Sequence, residues 1–327
     1  MKIQRLLLLM IIFISALSIQ AQDINDLTTN PGYYGFFADV EADFTLVTRN
    51  YNNIRKEYYP HKYIFNSTSR TLLFDRWELS GKAEILRRIN HGNLIYHTAN
   101  STTIISKCST NLDMEFKSIF NFYDSLNLYL ATKYFYSKFT FDYDTIPDET
   151  LDRSTWDYTA GLSIEGEKGI RLLTPGYLFQ KGLFVELLYS DYFQHKWDGR
   201  PSIIIDRSSF IANLSYSSID RNFMITPGCY NVYIIDPEIL SSTPIISAVW
   251  DYSKACRFDL SLGGNFPFRE GYKTEYTLIG AANLHAFFKF KPAYLDFFLG
   301  YHIQRDPEKS STYSEAKMGL KILLGYI

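Results

Sequence analysis

The sequence predicts an all-β chain, an antiparallel transmembrane β-barrel of about 14 strands, with about 12 or about 16 strands as the alternatives. Three observations lead there. Apolar and polar residues alternate with period two along most of the chain. In "ADVEADFTLV", Asp39, Glu41, Asp43 and Thr45 hold one parity, and Ala38, Val40, Ala42, Phe44 and Leu46 hold the other. Many such runs exceed the roughly 5–6 residues of an average strand and reach the roughly 9–11 of a tilted strand crossing a bilayer. Tyr (26) and Phe (25) raise aromatics to 17% of residues, a composition of strands rather than of Ala-rich helices.

At the start of the chain, Lys2 and Arg5 precede the apolar run Leu6 to Leu17, and "SIQAQD" follows. This is the layout of a secretory signal over residues 1–21, with cleavage after Ala21. The apolar run is short of the roughly 20 residues that a spanning helix needs. Losing Lys2 and Arg5 takes the formal net charge from −2 to about −4. That balance offers no basic patch and excludes nucleic acid as a partner. No later segment is apolar for 18 uninterrupted residues, which excludes a bundle of membrane helices. Residues 22–32 read as a short periplasmic lead-in and 33–327 as one barrel domain.

Within that domain the alternation places strands near 33–48, 70–86, 93–104, 112–123, 127–141, 155–165, 182–193 and 203–216. It continues near 221–235, 244–253, 255–265, 274–290, 293–304 and 314–326. In "RWELSGKAEI", Trp77, Leu79, Ala83 and Ile85 interleave with Arg76, Glu78, Ser80, Lys82 and Glu84; in "LDMEFKSIF", Leu112, Met114, Phe116 and Phe120 interleave with Asp113, Glu115 and Lys117. Connections alternate in length as well. Long polar loops at 49–69, 142–154, 194–202, 236–243, 266–273 and 305–313 take turns with tight joins at 124–126, 217–220, 253–254 and 291–292. Short periplasmic turns and longer external loops are the habit of membrane barrels. The stretch 166–181, "GEKGIRLLTPGYLFQK", breaks the rhythm and holds either two short strands or an irregular periplasmic segment.

On these residues the chain resembles Gram-negative outer-membrane β-barrel proteins over 33–327. Its last strand, "EAKMGLKILLGYI", is similar to the C-terminal signal such proteins show to their insertion machinery, with the aromatic Tyr326 penultimate to Ile327. The resemblance implies an exported protein of the cell outer membrane, with membrane lipid and the barrel-insertion machinery as partners. It reaches a class and no particular family. A soluble sandwich shows the same alternation with its apolar face inward; strand length, the last strand and the aromatic load favour the barrel.

In a barrel the apolar parity meets lipid and the polar parity meets the lumen. The lumen then carries Asp39, Glu41, Asp43, Glu78, Glu84, Asp113, Glu115, Asp259 and Glu315, with Arg76, Lys82, Lys117, Arg257, Lys317 and Lys321 among them. Asp157, Glu165, Glu186, Glu275, Asp296, Lys133 and Lys289 share that parity, and acids outnumber bases. Charge lining a passage sets its selectivity, which points to a channel or transport pore for cations or small polar solutes. An ion-paired network filling a rigid, non-conducting structural or assembly barrel is the equal alternative.

Catalytic signatures are sparse. "HKWDGR" at His195 to Arg200 faintly resembles the outer-membrane phospholipase pattern, but Trp197 stands where that pattern has its nucleophilic Ser, and Ser208 and Ser209 lie farther on. A polar external loop accounts for the stretch, no enzyme is expected, and a lipid-modifying outer-membrane enzyme stays the least favoured of the three readings. Cys108, Cys229 and Cys256 are odd in number and lack CxxC spacing, so neither a disulfide framework nor a metal site is expected. His285 and His302 fall on the lumen parity of adjacent strands, where a pair more often hydrogen-bonds than binds metal. Nothing resembles a nucleotide fingerprint, and no cofactor is expected.

Overall fold

The computed structural model describes residues 35–324 apart from 52–53, 75, 95–103, 124, 144–148, 166, 171–178, 198–204, 236–237, 272–275, 291–292 and 308–310. The expected signal and lead-in lie outside the described residues. Among those described, the strands are β1 (Gly35–Tyr51), β2 (Ile54–Leu73), β3 (Trp77–Leu94), β4 (Ile104–Tyr123), β5 (Leu126–Tyr143), β6 (Glu149–Ile164) and β7 (Glu167–Ile170). They continue as β8 (Phe179–Trp197), β9 (Ile205–Asp220), β10 (Phe223–Ile234), β11 (Ile239–Ser253), β12 (Cys256–Phe268), β13 (Thr277–Phe290), β14 (Ala293–Asp306) and β15 (Ser311–Leu324).

Each long strand pairs antiparallel with its sequence neighbours. β1 also pairs with β15 and β6 with β8, which closes a 14-stranded ring that leaves no free edge. β7 stays out of the ring: it is a short strand folded back on β8 through Glu167–Lys181 and Ile170–Phe179. With the first residues of β8 (179–181) it is what the structure shows of 166–181, since 166 and 171–178 lie outside the described residues.

The expected strand number holds, but three expected elements move. Residues 49–69, read as a long loop, are mostly β2, joined to β1 at 52–53. Pro60 and the outward Ser67, Ser69 and Thr71 hide this strand from an alternation count. The β1–β2 ladder breaks between Phe44–His61 and Val47–Tyr58, where Pro60 has no N–H to donate. The expected strand at 93–104 is instead shared by the ends of β3 and β4, whose Leu94 and Ile104 face each other; 95–103 lie outside the described residues. The expected strand 70–86 straddles the β2–β3 turn, so Arg76, expected on a lumen-facing strand, lies exposed in that turn.

One observation fixes which face is concave. Lys62 on β2 and Glu315 on β15 flank β1, yet their side chains meet at 2.7 Å. Side chains two strands apart converge only on the inside of a closed sheet. Asp43 and Thr45 share that inner parity, and the outer parity carries Val40, Phe44 and Leu46, which are exposed and apolar. The rule runs around the ring: Leu128, Leu130, Leu187, Leu214, Ile246, Leu262, Leu284, Leu299 and Met318 all stand exposed on the convex face. Outward aromatics gather toward the end that holds the tightest turns, at Trp77, Phe120, Tyr123, Phe223, Trp250 and Tyr252. A second band lies farther along β5, β6, β8 and β9, where Tyr134 meets Trp156 at 4.7 Å and Tyr189 meets Phe210 at 5.4 Å.

Two local details shape the wall. Arg221 opens the two-residue β9–β10 turn at φ 52°, a left-handed conformation that costs a non-glycine residue about 1 kcal/mol or more. Arg221→Gly is therefore expected to raise the heat resistance of the folded barrel by about 0.5–1 kcal/mol, read as a higher temperature for loss of the folded band in gels. Gly161 on β6 is needed for close approach, because a Cβ there would sit 2.2 Å from the Leu187 carbonyl oxygen and 2.8 Å from Leu188 Cδ2. Leu188 thereby reaches across β6 to pack with Tyr129 and Ile119 on the inner face. Gly161→Ala is expected to lower stability by about 1–3 kcal/mol in the same assay.

Candidate functional site: the inner wall

The inner wall divides into sectors of different chemistry. On β1, β2 and β15, the carboxylates of Asp39, Glu41 and Asp43 are ion-paired. Asp43 lies opposite Lys62 and Glu41 opposite Lys321, and this register brings the charges together. Lys62 Nζ is 3.9 Å from Asp43 Oδ2 and 2.7 Å from Glu315 Oε1, while Lys321 Nζ is 3.2 Å from Asp39 Oδ1 and 3.9 Å from Glu41 Oε2. Neutral donors complete the set: Asn66 Nδ2–H donates to Asp39 at 3.0 Å, the Thr45 hydroxyl to Asp43 at 3.0 Å, and the Tyr313 hydroxyl to Glu315 at 2.7 Å. Side-chain exposure runs from 2% at Asp43 to 18% at Lys321, so this sector is largely sealed from water.

The sector continues across β11 to β14 as a second buried network. Arg257, register partner of both Asp251 and His285, donates from Nε to Asp259. His285 Nδ1 is hydrogen-bonded to both oxygens of Asp296 at 3.0–3.1 Å, and its Nε2 lies 3.6 Å from Asp259 Oδ2. Phe287 and Phe298 pack against the imidazole with ring centroids 5.9 Å and 6.0 Å away. Asp251 and Asp296 are fully buried, and Asp296 faces Lys321 across the β14–β15 ladder, which links the two networks. Lys317 lies over the Phe298 ring at 5.4 Å.

On β3 to β6 the same kinds of residue stay wet. Lys82, Glu115, Lys133 and Asp157 are successive register partners across four neighbouring strands. Their ion pairs run along or diagonally to the strands: Lys82–Glu84 at 3.4 Å, Lys117–Glu115 at 3.6 Å and Lys133–Asp113 at 3.0 Å. Lys82 is 46% exposed and Lys133 45%. Glu78, on the same face but close to the β2–β3 turn, is buried. Below this charged rung lies an apolar strip of Ile119, Tyr129 and Leu188 with Ala131 and Ile211, and a second of Met224, Val249 and Ile219.

Sequence reasoning placed these residues on one parity without saying which would meet. It missed Lys62 because β2 was read as a loop, and it missed Asp251, a lone acid between Trp250 and Tyr252. Asp39, Glu41 and Asp43 take Lys62 and Lys321 as partners, while Arg76 lies in the β2–β3 turn and Lys82 pairs with Glu84. His285 and His302 do not come together: His285 stands opposite Phe298 while His302 stands opposite Ala281 and meets the Tyr313 ring at 6.1 Å. Among the described residues no three His, Cys, Asp or Glu gather as a metal site. Ser208 spends its hydroxyl on Asp191 at 2.8 Å, and the Asp296–His285 pair points at a second carboxylate rather than at a nucleophile.

No protein-family model and no curated protein matches the chain. Solved structures similar to it include outer-membrane β-barrels. The translocator domain of the autotransporter NalP from Neisseria meningitidis aligns at TM-score 0.44 with 8% identity, covering 93% of this chain and 94% of that one. The chain folds as a closed 14-stranded antiparallel β-barrel with an apolar convex face. The Pseudomonas putida toluene transporter TodX aligns at 0.47 with 8% identity, covering 91% and 90%. Pseudomonas aeruginosa OccK8 (OprE) aligns at 0.42 with 10% identity, covering 89% and 98%. Likeness this distant says nothing about what passes through the barrel or binds to it.

Proposed function

We propose that the protein is an outer-membrane channel for small polar solutes, exported by a cleaved signal. The supporting observation is the wet rung: Lys82 and Lys133 face inward yet are nearly half exposed. A ring of about 8 strands is filled by its own side chains, and a 14-stranded one is wider, so inward charges that keep this much exposure border water inside the barrel. The exposed convex face of leucines, methionine and aromatics has lipid as its natural solvent, and it carries one aromatic band near the tight turns and a second near mid-strand. Mixed signs on the wet wall give a mild preference for cations rather than strict charge selection.

Planar-bilayer recording on purified, refolded protein tests this. Stepwise conductance is expected. A folded barrel, shown by heat-shifted gel mobility, that stays electrically silent would instead establish the non-conducting structural role. The fully buried, inward-facing Val47, Asp251 and Asp296 favour that second reading, because they show part of the interior filled.

A further inference from the structure

We infer that the wet rung on β3 to β6 is a binding subsite for small zwitterions, compounds with an ammonium and a carboxylate on one short skeleton, such as amino acids and short peptides. The inference rests on the channel reading and narrows its solute class.

The rung alternates in sign. Lys82, Glu115, Lys133 and Asp157 face each other in turn across the β3–β4, β4–β5 and β5–β6 ladders, so positive and negative groups repeat at the strand spacing of about 4.8 Å. One step along the strands Lys117 neighbours Glu115, whereas Glu84 and Asp113 face each other as two acids, so the alternation belongs to the rung itself. Among the described residues, the other two charged networks lack this combination of alternation and water. The carboxylates opposite Lys62 and Lys321 are held in largely sealed pairs, and the Arg257–Asp259–His285–Asp296 chain is packed against Phe287 and Phe298.

Exposed ion pairs are worth little, so those of the rung exchange partners at small cost when a solute brings its own charges. An uncharged solute offers only dipoles in exchange. A solute with one charge drawn to Glu115 or Lys133 is repelled by the rung members on both sides of it. A zwitterion lying across the strands sets its ammonium against Glu115 and its carboxylate against Lys82 or Lys133, and both contacts are attractive. Two such exposed contacts of modest strength amount to about a fivefold gain in occupancy.

The test is efflux from proteoliposomes loaded with one of three probes of similar size: glycylglycine, the uncharged polyol erythritol, and the singly charged N-acetylglycine. At low probe concentration glycylglycine is expected to leave about fivefold faster than erythritol and to saturate as its concentration rises. The triple variant Lys82→Gln, Glu115→Gln, Lys133→Gln is expected to lose both the excess and the saturation. Its folded state is checked by heat-shifted gel mobility. If it does not fold, Lys133→Gln alone, which removes the central cation, is expected to reduce the excess. Equal efflux of all three probes through a conducting barrel overturns the zwitterion subsite and leaves the channel standing, as does a preference that survives both variants. A barrel that neither conducts nor releases any probe overturns the channel reading, and the subsite with it.

Discussion

Replacing Asp39 and Asp43 by Asn and Glu41 by Gln together is expected to destabilise the folded barrel strongly, on the order of 3–5 kcal/mol where the pairs are well buried. The cause is the cations left behind. Lys62 and Lys321 are no more than 18% exposed; Lys321 is held by carboxylates on the neighbouring β1, and Lys62 by Asp43 on β1 and Glu315 two strands away on β15. Neutralising the acids leaves Lys321 without Asp39 and Glu41, and Lys62 with Glu315 alone. Amides accept hydrogen bonds but do not offset a buried charge. The readout is the temperature at which the compact unboiled gel band disappears, which should drop well below that of the parent chain. Adding Lys62→Met and Lys321→Met should recover much of the loss, since removing a buried pair whole costs far less than halving it. Unchanged heat resistance, accompanied by a loss of cation preference in bilayers, would mean that the three carboxylates line open water.

Why the row sits where it does follows from period two, and that much was legible from "ADVEADFTLV" alone. Parity assigns a residue to a face; it does not say which residue stands beside it. The partners depend on register, and register is set by turns and by pairing between β1 and β15, which are separated by nearly the whole chain. The failure at β2 shows the same limit. Its inner residues Lys62, Asn66, Thr68 and Arg70 are polar as a barrel requires, but Ser67, Ser69 and Thr71 make its outer face polar too, so that half of the strand carries no contrast to read. With β2 read as a loop, its lysine vanished from the list of lumen charges, and Arg76, which belongs to the next turn, took its place. The buried status of Asp251 and Asp296 was equally illegible, because nothing in their local alternation separates them from the wet Asp113. What differs is the company: Asp296 is met by His285 between two Phe rings, whereas Asp113 is met by a lysine that reaches into water.

A charge on the convex face gives the sharpest test of orientation. Met318 is 58% exposed near the middle of β15, with the outward Phe44 on β1 and Leu299 on β14 as its register partners. If this face meets hydrocarbon, Met318→Arg places a guanidinium near the bilayer midplane at a cost of about 2–4 kcal/mol. The same substitution on a water-facing surface would be nearly neutral. Lys82→Gln removes a charge from a wet inner wall, where an exposed pair is worth at most about 1 kcal/mol, and is expected to be mild. Leu320→Arg, one outward step along β15 between Ala42 and Phe297, should behave like Met318→Arg. Folding into lipid vesicles with urea titration measures all three on one scale. The expected order is both arginine variants well below Lys82→Gln. The reverse order would turn the barrel inside out, with its leucines and aromatics packed inward and its lysines on the surface of a soluble protein.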